Sequence, residues 1–435
     1  METNRPLSRS LFYEVFGPHG SRVRRDRRDL PAIGQCRGGT VVSYNYKCLH
    51  RDTAALATLA LRSKVSSMLL YGGDLREVTI LILTASLLGI PLTVCDEKVT
   101  PNGELTDALS SPCLVIAPPS VTTDLPTNHI GIEHAQFIAA IEGEDDSFPA
   151  FIPLSDRFSI TFITKNGREC YGSSSISFSA RGFSASSRLI RGERTLTELS
   201  PLTPVGAICG LLSCLISGGC CISLDSHKEM TDYCDIVRPH RLLCSHEGAL
   251  EAERILNSGG SVTLPIPFRS VRAERRHIAK LRRMAMGKLM RLGGELRQIT
   301  LVGGVPPSLL SSFTSAGILS ASLLSCPGCP SVAMRSYLTD KTWIPLNGMI
   351  ADICSVEAGG RGIITLSGRG ICTPPNTPEP HGQIPGSFRI DEWNGLSLVT
   401  DLYGFITPKG NILVEKRLSH GVFLKKMKNN FESVL

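Results

Sequence analysis

The sequence has no unbroken apolar run near the roughly 18 residues that a membrane-crossing helix needs. The longest apolar stretch, Val78 to Val94, is interrupted by Thr, Ser, Gly and Pro, so no transmembrane helix is expected. The opening residues, METNRPLSRS, contain no apolar segment, which argues against a secretory signal there. Aromatic residues are only 6% of the chain, so aliphatic side chains must fill the interior. A paired disulfide framework is also missing. The 15 cysteines are odd in number and scattered, and such frameworks belong to short secreted chains. Several lie in apolar runs, as do Cys209, Cys214, Cys220 and Cys221, and they read as reduced core residues of a cytoplasmic protein. What is present is ordinary for a globular chain: 42% hydrophobic and 20% charged residues, enough to bury a large core. At 435 residues the chain should divide into two to four units. The net charge of +7 is concentrated. Residues 269–297 carry ten Lys or Arg and two Glu, leaving 36 basic and 37 acidic residues elsewhere.

Residues 1–28 end in Arg22, Arg24, Arg25, Arg27 and Arg28 and offer few apolar anchors. They are expected to form a loose basic arm, a solvated tail before a nucleic-acid contact. From Gly39 strands and helices alternate. GTVVSYNY reads as a strand, and CLHRDTAALATLALRS as a helix with Leu49, Ala54, Leu56, Leu59 and Leu61 at helical spacing. SSMLLY is a buried strand, GDLREVTILILTASLLG a helix stopped by Gly89, and IPLTVCDE the next strand. This succession predicts a parallel, doubly wound sheet. Pro-rich linkers near Pro118 to Pro126 precede a second α/β run from Asp156 to about Met334. From Tyr337 short strands separated by Gly and Pro turns predict an all-β unit. The expected fold class is α/β: two doubly wound parallel-sheet subdomains plus a small β-barrel-like subdomain. The expected divisions are an arm at 1–28, α/β subdomains at 29–155 and 156–336, a β-rich unit at 337–416 and a hinge stretch at 417–435.

The order of these segments resembles the adenylate-forming superfamily, acyl-CoA synthetase type. VSYNYKCLHRDTAALATLAL is similar to its "TYxEL…A…LA" opening, and YGGDLREVTILILTASLLGIPLTV to the helix and strand before its "Ga…vP". TLVGGVPPSLLSSFTSAGI resembles "GGapl…f…g", GRGIITLSGRGI the "GEi.vrG" strand pair, and GLSLVTDLYGFITPKGNILVEKR the "W..TGDlG.id.dG.l.i.GR" signature. NFESVL resembles the "EIE..L" helix that opens a small C-terminal subdomain, so the chain ends as that subdomain would begin, with Ser419 and His420 at the hinge. The likeness spans residues 40–435 in the right order. It implies the large N-terminal part of a ligase that joins a carboxylic acid to AMP using ATP and Mg²⁺, then passes the acyl group to a thiol.

That resemblance assigns tasks to particular residues. The strand DRFSITFI and loop TKNGRECYG stand where the family's phosphate loop, TSGTTGxPKG, lies. Such loops need small residues that let backbone N–H groups reach the phosphates, and a Lys for charge. Thr164 and Gly172 fall on motif positions, Tyr171 replaces the Lys, and Lys165 replaces a Gly; Lys165 and Arg168 are the remaining cations. LLSCPGCP aligns with YGxTE, placing Gly328 where the metal-holding Glu is expected, so Mg²⁺ binding should be weakened. The Cys326-Pro-Gly-Cys329 spacing reads as a turn with two incidental thiols, not as zinc. In LSPLTPVGAICG, Pro204 takes the place of a family His, and a plain core helix suffices. Asp401 matches the ribose-binding Asp, Arg417 the Arg that contacts ribose or phosphate, and Gly303 and Gly304 the segment lining adenine. No catalytic or metal-ligating residue is assigned.

RSVRAERRHIAKLRRMAMGKLMRLGGELR places Ile278, Leu281, Ala285, Leu289 and Leu292 on one helix face. Its cations suit an anionic membrane surface, a nucleic acid or an acidic carrier protein, or simply a solvated face. Three functions follow in order. The first is a carboxylate-activating ligase fold with impaired or lost adenylation, acting on a carboxylic (fatty) acid with ATP or AMP and a thiol acceptor such as CoA or acyl carrier protein. The second is a non-catalytic binding or scaffold protein. The third is a membrane-surface or nucleic-acid binder.

Overall fold

The computed structural model describes residues 10–17, 23–99, 109, 111–122, 125–144, 157–165, 167–258, 271–304, 306–336, 342–346, 348–357, 359–372, 388–390 and 396–418. In chain order the strands are β1 (Pro31–Arg37), β2 (Thr40–Asn45), β3 (Ser67–Tyr71), β4 (Leu92–Cys95), β5 (Cys113–Ala117), β6 (Ile130–Glu133), β7 (Ser159–Thr164) and β8 (Gly167–Gly172). They continue with β9 (Arg194–Thr197), β10 (Cys220–Ser223), β11 (Arg241–Cys244), β12 (Gln298–Val302), β13 (Leu319–Cys326), β14 (Cys329–Ser336) and β15 (Ile344–Pro345). The last five are β16 (Met349–Glu357), β17 (Arg361–Gly368), β18 (Phe388–Ile390), β19 (Leu396–Ile406) and β20 (Ile412–Arg417).

Three sheets result. One has nine strands in the order β15-β14-β13-β12-β11-β9-β10-β1-β2, one has six in the order β6-β5-β3-β4-β7-β8, and one has five, β16-β17-β19-β18 with β20 also on β19. The interiors of the two larger sheets are parallel, and the five-stranded sheet is antiparallel. The α/β expectation is met. The β-rich unit is a small antiparallel sheet, and among the described residues no ladder closes it into a barrel.

The sequence blocks 29–155 and 156–336 do not coincide with the sheets. β1 pairs in parallel with β10 through Ile33↔Cys221, so the first strand pair completes the nine-stranded sheet. β7 pairs in parallel with β4 through Leu92↔Ile160, so β7 and β8 complete the six-stranded one. Buried parallel strands read as short apolar runs, which carry no information about their partners.

The helix Leu75–Leu88 explains the layering. Every residue from Glu77 to Leu88 is buried. A helix apolar on all sides must be covered on all sides. It lies in a core cluster that also draws Ile33 and Cys221 from one parallel sheet and Met68, Leu92 and Ile160 from the other. Asp74 and Glu77 form a reciprocal capping box at its start, and Gly89 (φ 69°) ends it in the left-handed conformation.

The loose arm expected at 1–28 is corrected for the residues described there. Leu11–Phe16 is a helix whose Leu11, Phe12, Val15 and Phe16 are buried. Arg27 is buried too. Its guanidinium donates to the carbonyls of Val15 (3.0 Å), Leu215 (3.2 Å) and Ile216 (3.0 Å). Leu215 and Ile216 lie at the end of the helix Ser213–Ser217, where a cation meets the negative end of the helix dipole. A run of arginines in the sequence hides one that is structural.

Candidate functional site: the carboxyl edge of the nine-stranded sheet

In open parallel sheets, ligands bind beyond the carboxyl ends of the strands. At that edge β12 and β13 run side by side, with Val302↔Leu323 in register. Gly303 follows β12, and its N–H donates to the Leu323 carbonyl at 2.8 Å. Its φ of 96° favours glycine, and a Cβ built on Gly303 or Gly304 would meet nothing within 4 Å. The space beside this turn is open.

Two residues past Leu323, Ser325 offers its carbonyl to Arg417. Arg417 also donates to both oxygens of Asp401, at 3.1 and 2.9 Å. The two side chains come from neighbouring strands, with Leu402↔Arg417 in the β19–β20 ladder. The structure therefore brings the two sequence candidates together, and does so at the carboxyl end of β13. The Asp401 side chain is 14% exposed and that of Arg417 is 42% exposed, so the guanidinium faces solvent and the carboxylate lies largely beneath it. Thr400, which precedes Asp401, is buried and donates its hydroxyl to the Ile364 carbonyl at 2.7 Å.

The phosphate-loop segment has a different form from the loop expected. β7 and β8 pair antiparallel from Ser159↔Gly172 to Thr164↔Gly167. Thr164 and Gly172 sit at opposite ends of this hairpin, about 17 Å apart at the usual strand rise. Successive N–H groups along a strand point to opposite sides, so they cannot converge on one phosphate. Lys165 and Arg168 are exposed near the tip. Tyr171, at the position of the family's Lys, is fully buried and donates its hydroxyl to Glu169. Burial, and then the neighbouring Glu169 carboxylate, push its phenol well above the ordinary range.

Glu169 is the residue the sequence reading missed. Its Oε2 accepts from the Gly328 N–H at 2.7 Å, which brings a carboxylate against the turn where none lies in sequence. That turn is Pro327-Gly328, between Cys326 and Cys329, which face each other in the β13–β14 ladder. Gly328 has φ 80°, as the second central residue of a Pro-Gly turn requires. Cys326 and Cys329 are buried, and desolvation pushes the Cys329 thiol up to about 12. Protonated buried thiols are poor metal ligands. Among the described residues no three His, Cys, Asp or Glu side chains converge to hold a metal ion. Glu169 alone does not fit the oxygen-rich shell of Mg²⁺.

The segment at Pro204 is buried and helical, as expected, but Val205–Leu212 takes the wider π form. The basic segment is also helical, over Val271–Met284. Asp156, Ser419 and His420 lie outside the described residues.

No family model matches the sequence, and no curated protein sequence matches it. Solved structures do match. The N-terminal domain of FACL13 from Mycobacterium tuberculosis is similar at TM-score 0.69 and 13% identity, over 94% of this chain and 100% of that domain. MatB from Rhodopseudomonas palustris, bound to ATP, is similar at TM-score 0.68 and 14% identity, over 94% of this chain and 78% of its own. VinN, in complex with L-aspartate, is similar at TM-score 0.65 and 14% identity, over 89% of this chain and 95% of its own. These are adenylate-forming proteins, and the chain has their fold.

Proposed function

We propose that this chain, which has the fold of the N-terminal part of adenylate-forming ligases, holds an adenosine nucleotide by its ribose and has impaired or lost adenylation. The observation that carries this is the closed hairpin Ser159–Gly172, whose strand pairing takes up the segment that should cradle phosphates. The ribose end supports binding. The Asp401 carboxylate can accept from two hydroxyls, and Arg417 holds it in place while keeping a second anchor on Ser325. The open space beside Gly303 and Gly304 leaves room for a flat base. ATP or AMP is the nucleotide class, in line with the ATP complex of MatB, and a carboxylic acid is the partner class, in line with the L-aspartate complex of VinN; a fatty acid and a thiol acceptor such as CoA follow from the family resemblance alone.

Two measurements test this. Pyrophosphate exchange from ATP, run with fatty, aryl and amino acids, should stay at the blank. Exchange with any of them overturns the loss of adenylation. AMP should raise the melting temperature of the native chain and leave Asp401→Ala unmoved. No AMP shift with Asp401 intact overturns the nucleotide reading.

A further inference from the structure

The segment that carries the net charge also leaves apolar side chains in water. Three of the eleven exposed large apolar residues among those described are Met284 (65% exposed), Met286 (40%) and Met290 (56%). Single exposed apolar residues need no explanation, but three within seven positions do. They sit on a fixed platform. Leu281, Leu289 and Leu292 face inward and are buried, and Arg282 donates to the carbonyls of Leu296 and Gly294. Lys280, Arg283 and Met284 fall at i, i+3 and i+4 of the helix Val271–Met284, which puts them on one face. Lys280 and Arg283 are both exposed. The one acidic residue between positions 278 and 297, Glu295, is 43% exposed and is engaged by Arg194 and His240, so the charge of this segment is predominantly positive.

We propose that the surface formed by Lys280, Arg283, Met284, Met286 and Met290 docks on an anionic lipid bilayer. Cations alone suit any polyanion. Cations interleaved with unbranched, flexible apolar side chains suit an interface with charge outside and hydrocarbon behind. A nucleic acid gives the methionines nothing to enter, and residues 269–297 contain no aromatic for stacking on bases. This surface is separate from the cleft, and its test is independent of the nucleotide reading.

The test is sedimentation of the full chain with phosphatidylcholine vesicles, with and without phosphatidylserine. Binding should require phosphatidylserine and fall as salt rises. A basic residue near such a surface is worth about fivefold in affinity. The double change Lys280→Glu with Arg283→Glu should therefore weaken binding by roughly 25-fold or more. Met284→Ser with Met290→Ser should weaken it severalfold at unchanged charge. All these positions are exposed, so melting temperatures should match the parent. Absence of binding at low salt overturns the proposal. So does indifference to the Met changes, or equal retention on poly-glutamate or an oligonucleotide, which would make the surface a general polyanion site.

Discussion

His134 shows how one side chain couples a loop to the end of a strand. Its Nδ1 lies 2.9 Å from the Glu77 carboxylate and its Nε2 lies 2.9 Å from the Tyr71 carbonyl. Both contacts suit a ring that donates from both nitrogens, which is the protonated form. The hydrogen bond to Glu77 raises its pKa above the ordinary value, against the opposing effect of burial. The sign of the linkage follows. The stabilisation is fully present below the unfolded value near 6.5 and is lost as pH rises through the higher folded value. The stability difference between the parent and His134→Gln in urea should therefore be largest below about pH 6 and shrink toward alkaline pH. A difference that grows with pH would reject the protonated pairing. Residues of this kind were not legible in the sequence, because His134 and Glu77 are far apart in the chain. Asp401 and Arg417 were legible, because each falls on a short signature whose two strands must pair. Glu169 was not, since its role depends on a hairpin ending beside a turn from another sheet.

At the scale of elements, the alternation of strand and helix after Gly39 was readable from apolar spacing and glycine stops. The phosphate segment was not, because its resemblance to a loop left no reason to read Gly167–Gly172 as a strand. The N-terminal helix was missed for a related reason: its four buried anchors occupy only two turns inside a basic stretch. The Pro327-Gly328 turn gives this level a test. A Cβ at Gly328 would lie 2.9 Å from the Cys372 sulfur and 3.0 Å from a Leu398 methyl, at φ 80°. Gly328→Ala therefore combines backbone strain with overpacking and should cost about 2–4 kcal/mol. Gly303→Ala carries the backbone strain alone, since its Cβ would meet open space, and should cost about 1–2 kcal/mol. Urea midpoints of the two variants measure the gap. Equal losses would mean that the packing around the Pro-Gly turn is looser than its distances imply.

The whole molecule is tied together by strands that cross between its halves. β1 and β2 precede the six-stranded sheet in the chain, yet they complete the nine-stranded one. β7 and β8 follow the expected boundary at residues 155 and 156, yet they complete the six-stranded sheet. The helix Leu75–Leu88 is buried along its length in a cluster fed by both sheets, so neither half can cover it alone. The interleaving should make the two α/β layers unfold as one cooperative unit despite a sequence that reads as two. Splitting the chain between residues 155 and 156 leaves β4 without β7 and β10 without β1. Each fragment would expose an apolar face and unpaired strand edges, the features that drive association of partly folded chains. The separate fragments should show no cooperative melt by circular dichroism, and mixing them from denaturant should restore one transition. A fragment 1–155 that melts cooperatively alone would show that the six-stranded sheet does not need β7, and that the Leu75–Leu88 helix can find cover within its own half.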